Sequence, residues 1–162
     1  MKGFAKLGLV AVCAMAGVST MVLAQGGGAP PSPEKAIETA VLTRQGLLKV
    51  VAWSFAPVGG MLKGAPFDAA AAQKSAARIK MLATMLPDAF DMDTHTQSKT
   101  PTKAKESIWT NKADFASKAD DLQKAATALE DAAKGGNADA TKTAARAVGQ
   151  ACGACHKAYR DE

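Results

Sequence analysis

The chain has 162 residues, 48% of them hydrophobic but only 5% aromatic, with a formal net charge of +5 and a pI near 9.2. The positive charges are dispersed, and no concentrated basic patch of the kind that grips nucleic acid is present. No segment alternates apolar and polar residues as a half-buried strand would, so a β architecture is excluded and a helical one expected.

Met1–Ala24 carries Lys2 and Lys6, then an apolar run from Leu7 with no charged residue before Glu34. Its short apolar core and the residues Val22-Leu23-Ala24 predict a signal peptide over 1–24, cut before Gln25, and not a membrane anchor in the mature form. Val12 before Cys13 argues against lipid attachment there. Removing Lys2 and Lys6 lowers the net charge by two, so the pI overstates the basicity of the exported chain. Residues 25–32 are rich in Gly and Pro and read as a flexible mature N-terminus. The remainder, 33–162, is one domain by size.

Ser32-Pro33 is a helix start, an N-cap followed by proline in the first turn. Ile37, Val41, Leu48, Val51 and Phe55 then recur at helical spacing, and Pro57 with Gly59-Gly60 is expected to end this first helix. A second helix is predicted from about Asp68 to Leu86, stopped by Pro87, with Ala72, Ala76, Ile79, Leu82 and Leu86 on its apolar face. Residues 87–103 have no convincing periodicity. A third helix is predicted over 105–134: Ile108, Phe115, Leu122 and Leu129 fall seven apart, and Ala119, Ala126 and Ala133 form a second row, a bundle seam. Gly135-Gly136 ends it. Asn137 or Asp139 starts a fourth, on which Val148, Cys152, Cys155 and Tyr159 share a face. The economical reading is all-α, an antiparallel four-helix bundle.

The fourth helix ends in Cys152-Gly153-Ala154-Cys155-His156, the order by which c-type haem is attached. On a helix, residues three and four apart lie side by side, so both thiols can bond the haem vinyl groups while His156 ligates iron. Zinc would need four ligands, and His95 is the only further nitrogen ligand outside the leader. A redox CxxC would be expected to follow a strand. Two haem propionates would further reduce the net charge.

The string "CGACHKAYR", with "TRQGLL" in the first helix, "PFDAA" opening the second and "IWTNKADF" opening the third, resembles cytochrome c′, a periplasmic family of four-helix-bundle haem proteins. The resemblance covers essentially all of the chain after the leader. It implies one covalent haem c per chain, Arg44 and Gln45 on the propionate side, Leu48 over the iron, and Phe90 and Trp109 lining the crevice. It also implies Arg160 bordering the proximal face and a homodimer surface on the first helix. Arg44 interrupts an apolar face, where a buried charge is costly; it either meets a propionate or snorkels to water. Phe90 and Trp109 are equally readable as core, and Arg160 as a surface charge.

Low-spin relatives of this fold place a methionine ligand in the first helix, but Ser32–Gly60 contains no Met or His. Met61 falls beyond the expected helix end, Met81, Met85 and Met92 are assigned to core or loop, and His95 to solvent. Five-coordinate iron is therefore expected, in a periplasmic protein that binds small gases such as nitric oxide and carbon monoxide and is not an enzyme. Electron transfer to a redox partner protein is the alternative. Nitric oxide reduction or peroxidase-like turnover is a third reading, weakened by the lack of a distal His/Arg pair.

Overall fold

In the computed structural model, which describes residues 30–162, the expected leader and most of the 25–32 segment lie outside the described residues. Helix α1 (Pro33–Leu62) starts as expected, with the Ser32 hydroxyl accepting from the Lys35 N–H. Val41, Arg44, Val51, Ser54, Val58 and Met61 form its buried row. The helix does not stop at Pro57 or Gly59-Gly60. An interior proline costs about 3 kcal/mol, but the turn beyond it buries Val58 and Met61, each contributing about 1.5–3 kcal/mol. Packing outweighs the breaker. The stop is Gly64, at φ +103°, where Ala65 N–H donates to the Gly60 carbonyl and Gly64 N–H to that of Met61. This crossed pair closes a helix on a left-handed residue that glycine adopts without strain.

Helix α2 (Ala69–Thr84) is capped by Asp68, whose carboxylate accepts from Ala71 N–H at 2.9 Å. It ends slightly earlier than expected, and Pro87 falls inside a separate single turn, α3 (Leu86–Ala89). The predicted third helix is divided into a turn, α4 (Ser107–Thr110), and the long α5 (Lys112–Lys134). The break is Asn111, at φ −134° and ψ 52°; asparagine is a poor interior helix former because its amide competes for backbone groups. The turn before it is anchored from outside, Ser107 Oγ donating to the Ala158 carbonyl and Trp109 Nε1 to that of Phe90. The seam survives the break: Ile108, Phe115, Ala119, Leu122, Ala126, Leu129 and Ala133 are all buried. Gly136, at φ +68°, turns the chain, and Asn137 caps α6 (Ala138–Tyr159) through Ala140 N–H.

The four long helices α1, α2, α5 and α6 form the bundle. α2 packs on both α1 and α5, and α5 and α1 each pack on α6. Ala72 and Ala76 of α2 and Ala126 and Ala133 of α5 are fully buried, small side chains that let backbones approach and leave the bulk to Ile79 and Leu129. At the rim of this pair Lys80 reaches Glu130 at 2.5 Å and Lys134 does so at 3.0 Å; their hydrogen bonds hold the Glu130 carboxyl below its usual range. Among the described residues no helix is long and apolar enough to cross a membrane.

Between α3 and α4 the chain runs as a strap. Lys99 pairs with Glu34 at 2.9 Å, and the Pro101 carbonyl accepts from Gln45 Nε2 at 2.8 Å. Further on, Lys105 N–H donates to the Tyr159 carbonyl and Asp161 N–H to that of Lys103, making an antiparallel bridge between Ala104 and Arg160. The strap thus ties α1 to the end of α6.

Leu129 is fully buried in a core rich in alanine, whose side chains cannot expand into the space it fills. Leu129→Ala should therefore cost about 2–5 kcal/mol, measured by urea denaturation of the haem-loaded protein. A loss under ~1 kcal/mol would show that α2 and α5 close over the gap.

Candidate functional site

The last two turns of α6 carry Cys152, Cys155 and His156. Both thiols are free and half-buried, packed against the hydrophobic core, while the imidazole is exposed. Burial pushes the Cys152 thiol up, and burial together with Cys152 does the same to Cys155, partly offset by Lys118. Burial and then the Arg160 charge lower the His156 pKa, favouring the neutral imidazole that metal ligation requires. One turn earlier, a Cβ at Gly149 would stand 3.9 Å from the Phe55 ring, so α1 passes α6 closely just before the cysteines.

Three residues past His156, Tyr159 fixes the orientation of the helix end. Its buried hydroxyl donates to Asp114 Oδ2 at 2.5 Å, and its ring meets Phe115 edge-on at 5.2 Å. Phe115 in turn lies 4.9 Å from Phe90. Burial and then the bond to Asp114 raise the phenol to about 12, so it remains a donor at any physiological pH. Arg160 is exposed and joins the strap through its backbone.

Arg44 is 1% exposed. The snorkelling alternative is thereby overturned. Nη2 donates to Thr94 Oγ1, and the guanidinium carbon lies 5.1 Å from the Phe90 ring centre and 5.3 Å from that of Trp109. Nε and Nη1 have no hydrogen-bond partner among the described residues. Burial lowers the guanidinium pKa, opposed by Asp93. Each buried donor left unsatisfied costs about 1–3 kcal/mol, so the site calls for a further acceptor, preferably an anion.

Gln45 is half-buried, its amide nitrogen committed to Pro101. Phe90 belongs to the core and Trp109 packs partly against it. Leu48 stands one turn from Arg44 on the same side of α1, yet is 39% exposed, an apolar side chain that no protein group fully covers. The orphaned guanidinium donors, the uncovered Leu48 and the exposed imidazole of His156 fit a flat apolar ring carrying carboxylates and a metal.

The other candidate ligands do not gather here. Met61 is buried inside α1 instead of lying beyond it. Met81 and Met85 are 64% and 49% exposed on α2 and its cap, not in the core, and Met92 is exposed in the strap. His95 is exposed, with Nε2 at 3.9 Å from a Glu106 carboxylate oxygen. Nothing in the sequence singles out Thr94. It is fully buried in a segment without periodicity, where no pattern separates an inward residue from its neighbours.

The family model described as cytochrome C' matches residues 39–160. Cytochrome c-554 of Cereibacter sphaeroides is 33% identical over 128 residues, covering 78% of this chain and 96% of that protein. The crystal structure of cytochrome c′ from Thermochromatium tepidum superposes with a TM-score of 0.70 at 31% identity, over 78% of this chain and 97% of that one. A nitric oxide complex of a leucine-to-isoleucine mutant of cytochrome c prime from Alcaligenes xylosoxidans does so with a TM-score of 0.66, also at 31% identity and over the same shares. With the bundle, the terminal CxxCH and a match along most of its length, the chain belongs to the cytochrome c′ family, four-helix-bundle proteins whose cofactor is a c-type haem.

Proposed function

We propose that this chain is a periplasmic, non-enzymatic gas-binding haem protein, exported by a signal peptide over 1–24, with 25–32 as a flexible lead into a bundle over 33–162. It carries one haem c, bonded through Cys152 and Cys155 and ligated by His156 alone. Arg44 and Gln45 lie towards the propionates, Phe90 and Trp109 flank the crevice behind Arg44, and Arg160 borders the His156 side. A haem held there would supply an iron able to bind nitric oxide or carbon monoxide.

The observation that carries this reading is the row on α1. Val41, Arg44 and Val51 are buried on it and Leu48, one turn from Arg44, is exposed; none of them is a metal ligand of the methionine or histidine kind, and Met61 is packed in the core. A side chain without a hydrogen-bond donor over the iron suits nitric oxide and carbon monoxide, which need none. The nitric oxide complex of the Alcaligenes protein supports the same reading.

Acid–acetone treatment of the exported protein should leave haem on the polypeptide, at a mass one haem above the chain beginning at Gln25. The ferrous protein should be high-spin until nitric oxide is added. A low-spin ferrous spectrum with a methionine–iron signature would sink the five-coordinate assignment and favour an electron carrier with a redox partner. Leu48→Ala should speed carbon monoxide association, each tenfold gain corresponding to about 1.4 kcal/mol of barrier. Unchanged rates in folded protein would put the gate elsewhere.

A second copy of the chain is the other partner proposed. Leu42, Val50 and Trp53 on α1 and Met81 and Met85 at α2 are 45–64% exposed, and Arg78 stacks on Trp53 at 4.6 Å. An exposed apolar group of this kind favours association. Sedimentation should give a dimer that Trp53→Glu converts to a monomer; a monomeric parent at high concentration would refute it.

A further inference from the structure

Arg44 can serve an anion only if something else holds it in place without consuming its charge. Its guanidinium is a rigid planar fork of five donors. The Phe90 and Trp109 rings stand within cation–π distance, and Nη2 is tied to the Thr94 hydroxyl. Nε and Nη1 remain to donate.

Thr94 can hold it in this way because of its chemistry and its support. A hydroxyl accepts the Arg44 hydrogen bond but brings no charge, whereas a carboxylate there would pair with the guanidinium and reduce its pull on a second anion. Asp93, the carboxylate whose charge acts on Arg44, is exposed, so solvent screens much of its field. The backbone around Thr94 is braced locally: its carbonyl accepts from Ser98 N–H at 3.2 Å, and Asp93 accepts from His95 N–H at 2.9 Å. The strap is fastened to α1 separately, through Gln45 to Pro101 and Glu34 to Lys99.

We infer that Thr94 is a positioning residue, a neutral acceptor that locks Arg44 with its remaining donors turned to a haem propionate and so helps set the reduction potential. The inference rests on the propionate reading of Arg44. A cation beside the haem favours the reduced state, so weakening that contact lowers the potential.

The test is the midpoint potential of the haem-loaded protein in a double-mutant cycle. Arg44→Leu should lower the potential. Thr94→Val, which keeps the volume and removes the acceptor, should lower it in the same direction by a smaller amount, and Thr94→Ala should do likewise. Thr94→Ser should restore the parent value. Adding Thr94→Val to Arg44→Leu should produce no further shift. A loss of packing alone would not vanish in the Arg44→Leu background or be rescued by serine. If Arg44→Leu lowers the potential and Thr94→Val and Thr94→Ala do not, the positioning role is wrong and the propionate reading stands. An equal Thr94→Val shift with and without Arg44 would mean that Thr94 acts on the haem independently, which also overturns the inference. No effect of Arg44→Leu would overturn both.

Discussion

A guanidinium that is 1% exposed inside a helical bundle is the constraint around which the rest of this site is arranged. Removing such a charge from water costs several kcal/mol unless hydrogen bonds and an opposite charge compensate. The protein supplies one hydrogen bond, two aromatic rings and a screened carboxylate at a distance. That set is incomplete, since two donor nitrogens have no partner among the described residues. The deficit is local and directional, and it lies on the side of α1 that also presents Leu48. A buried cation with free donors beside an uncovered apolar side chain describes a ligand with a carboxylate edge and an apolar plane, which is the chemistry of haem.

The aromatic residues connect this charge to the other half of the site. Phe90 lies under Arg44 and beside Phe115, and Phe115 meets Tyr159, which stands three residues beyond His156. In a chain with 5% aromatics, four of them are concentrated where α3, α4, α5 and the end of α6 converge. Elsewhere the bundle core is built from alanine and aliphatic side chains such as Ile79 and Leu129. The division has a mechanical sense: small residues bring α2 and α5 together closely, and large flat ones brace the region around Arg44 and the end of α6.

Much of this architecture is legible in the sequence because it depends on local or periodic signals. The caps at Ser32, Asp68 and Asn137 work through side chains three residues from their targets, and the α5 seam repeats regularly enough to survive the break at Asn111. The end of α1 is not legible in the same way. Pro57 and Gly59-Gly60 are strong local breakers, and whether they act depends on what Val58 and Met61 can bury, a tertiary question. Gly64 does stop the helix, but nothing nearby marks it above the earlier glycines. The CxxCH cluster is read directly from its spacing. Arg44 is ambiguous until its burial is known, and Thr94 is invisible, since its partner lies fifty residues away.

The strap accounts for how the CxxCH cluster can sit at the end of a helix without fraying. A terminal turn leaves its last carbonyls without partners, and an unsupported end would let Cys152, Cys155 and His156 drift relative to α1. Here the carbonyls of Lys157, Ala158 and Tyr159 accept from Lys105 Nζ, Ser107 Oγ and Lys105 N–H respectively, while Asp161 N–H reaches back to Lys103. The same strap, a few residues earlier, holds Gln45 and Arg44. One irregular segment is therefore bonded both to Arg44 and Gln45 of α1 and to the end of α6 that carries the CxxCH cluster. Its lack of periodicity follows from this double attachment. The segment must meet side chains of α1 and backbone groups at the end of α6 at once, and neither a helical nor a strand repeat would present acceptors and donors to both.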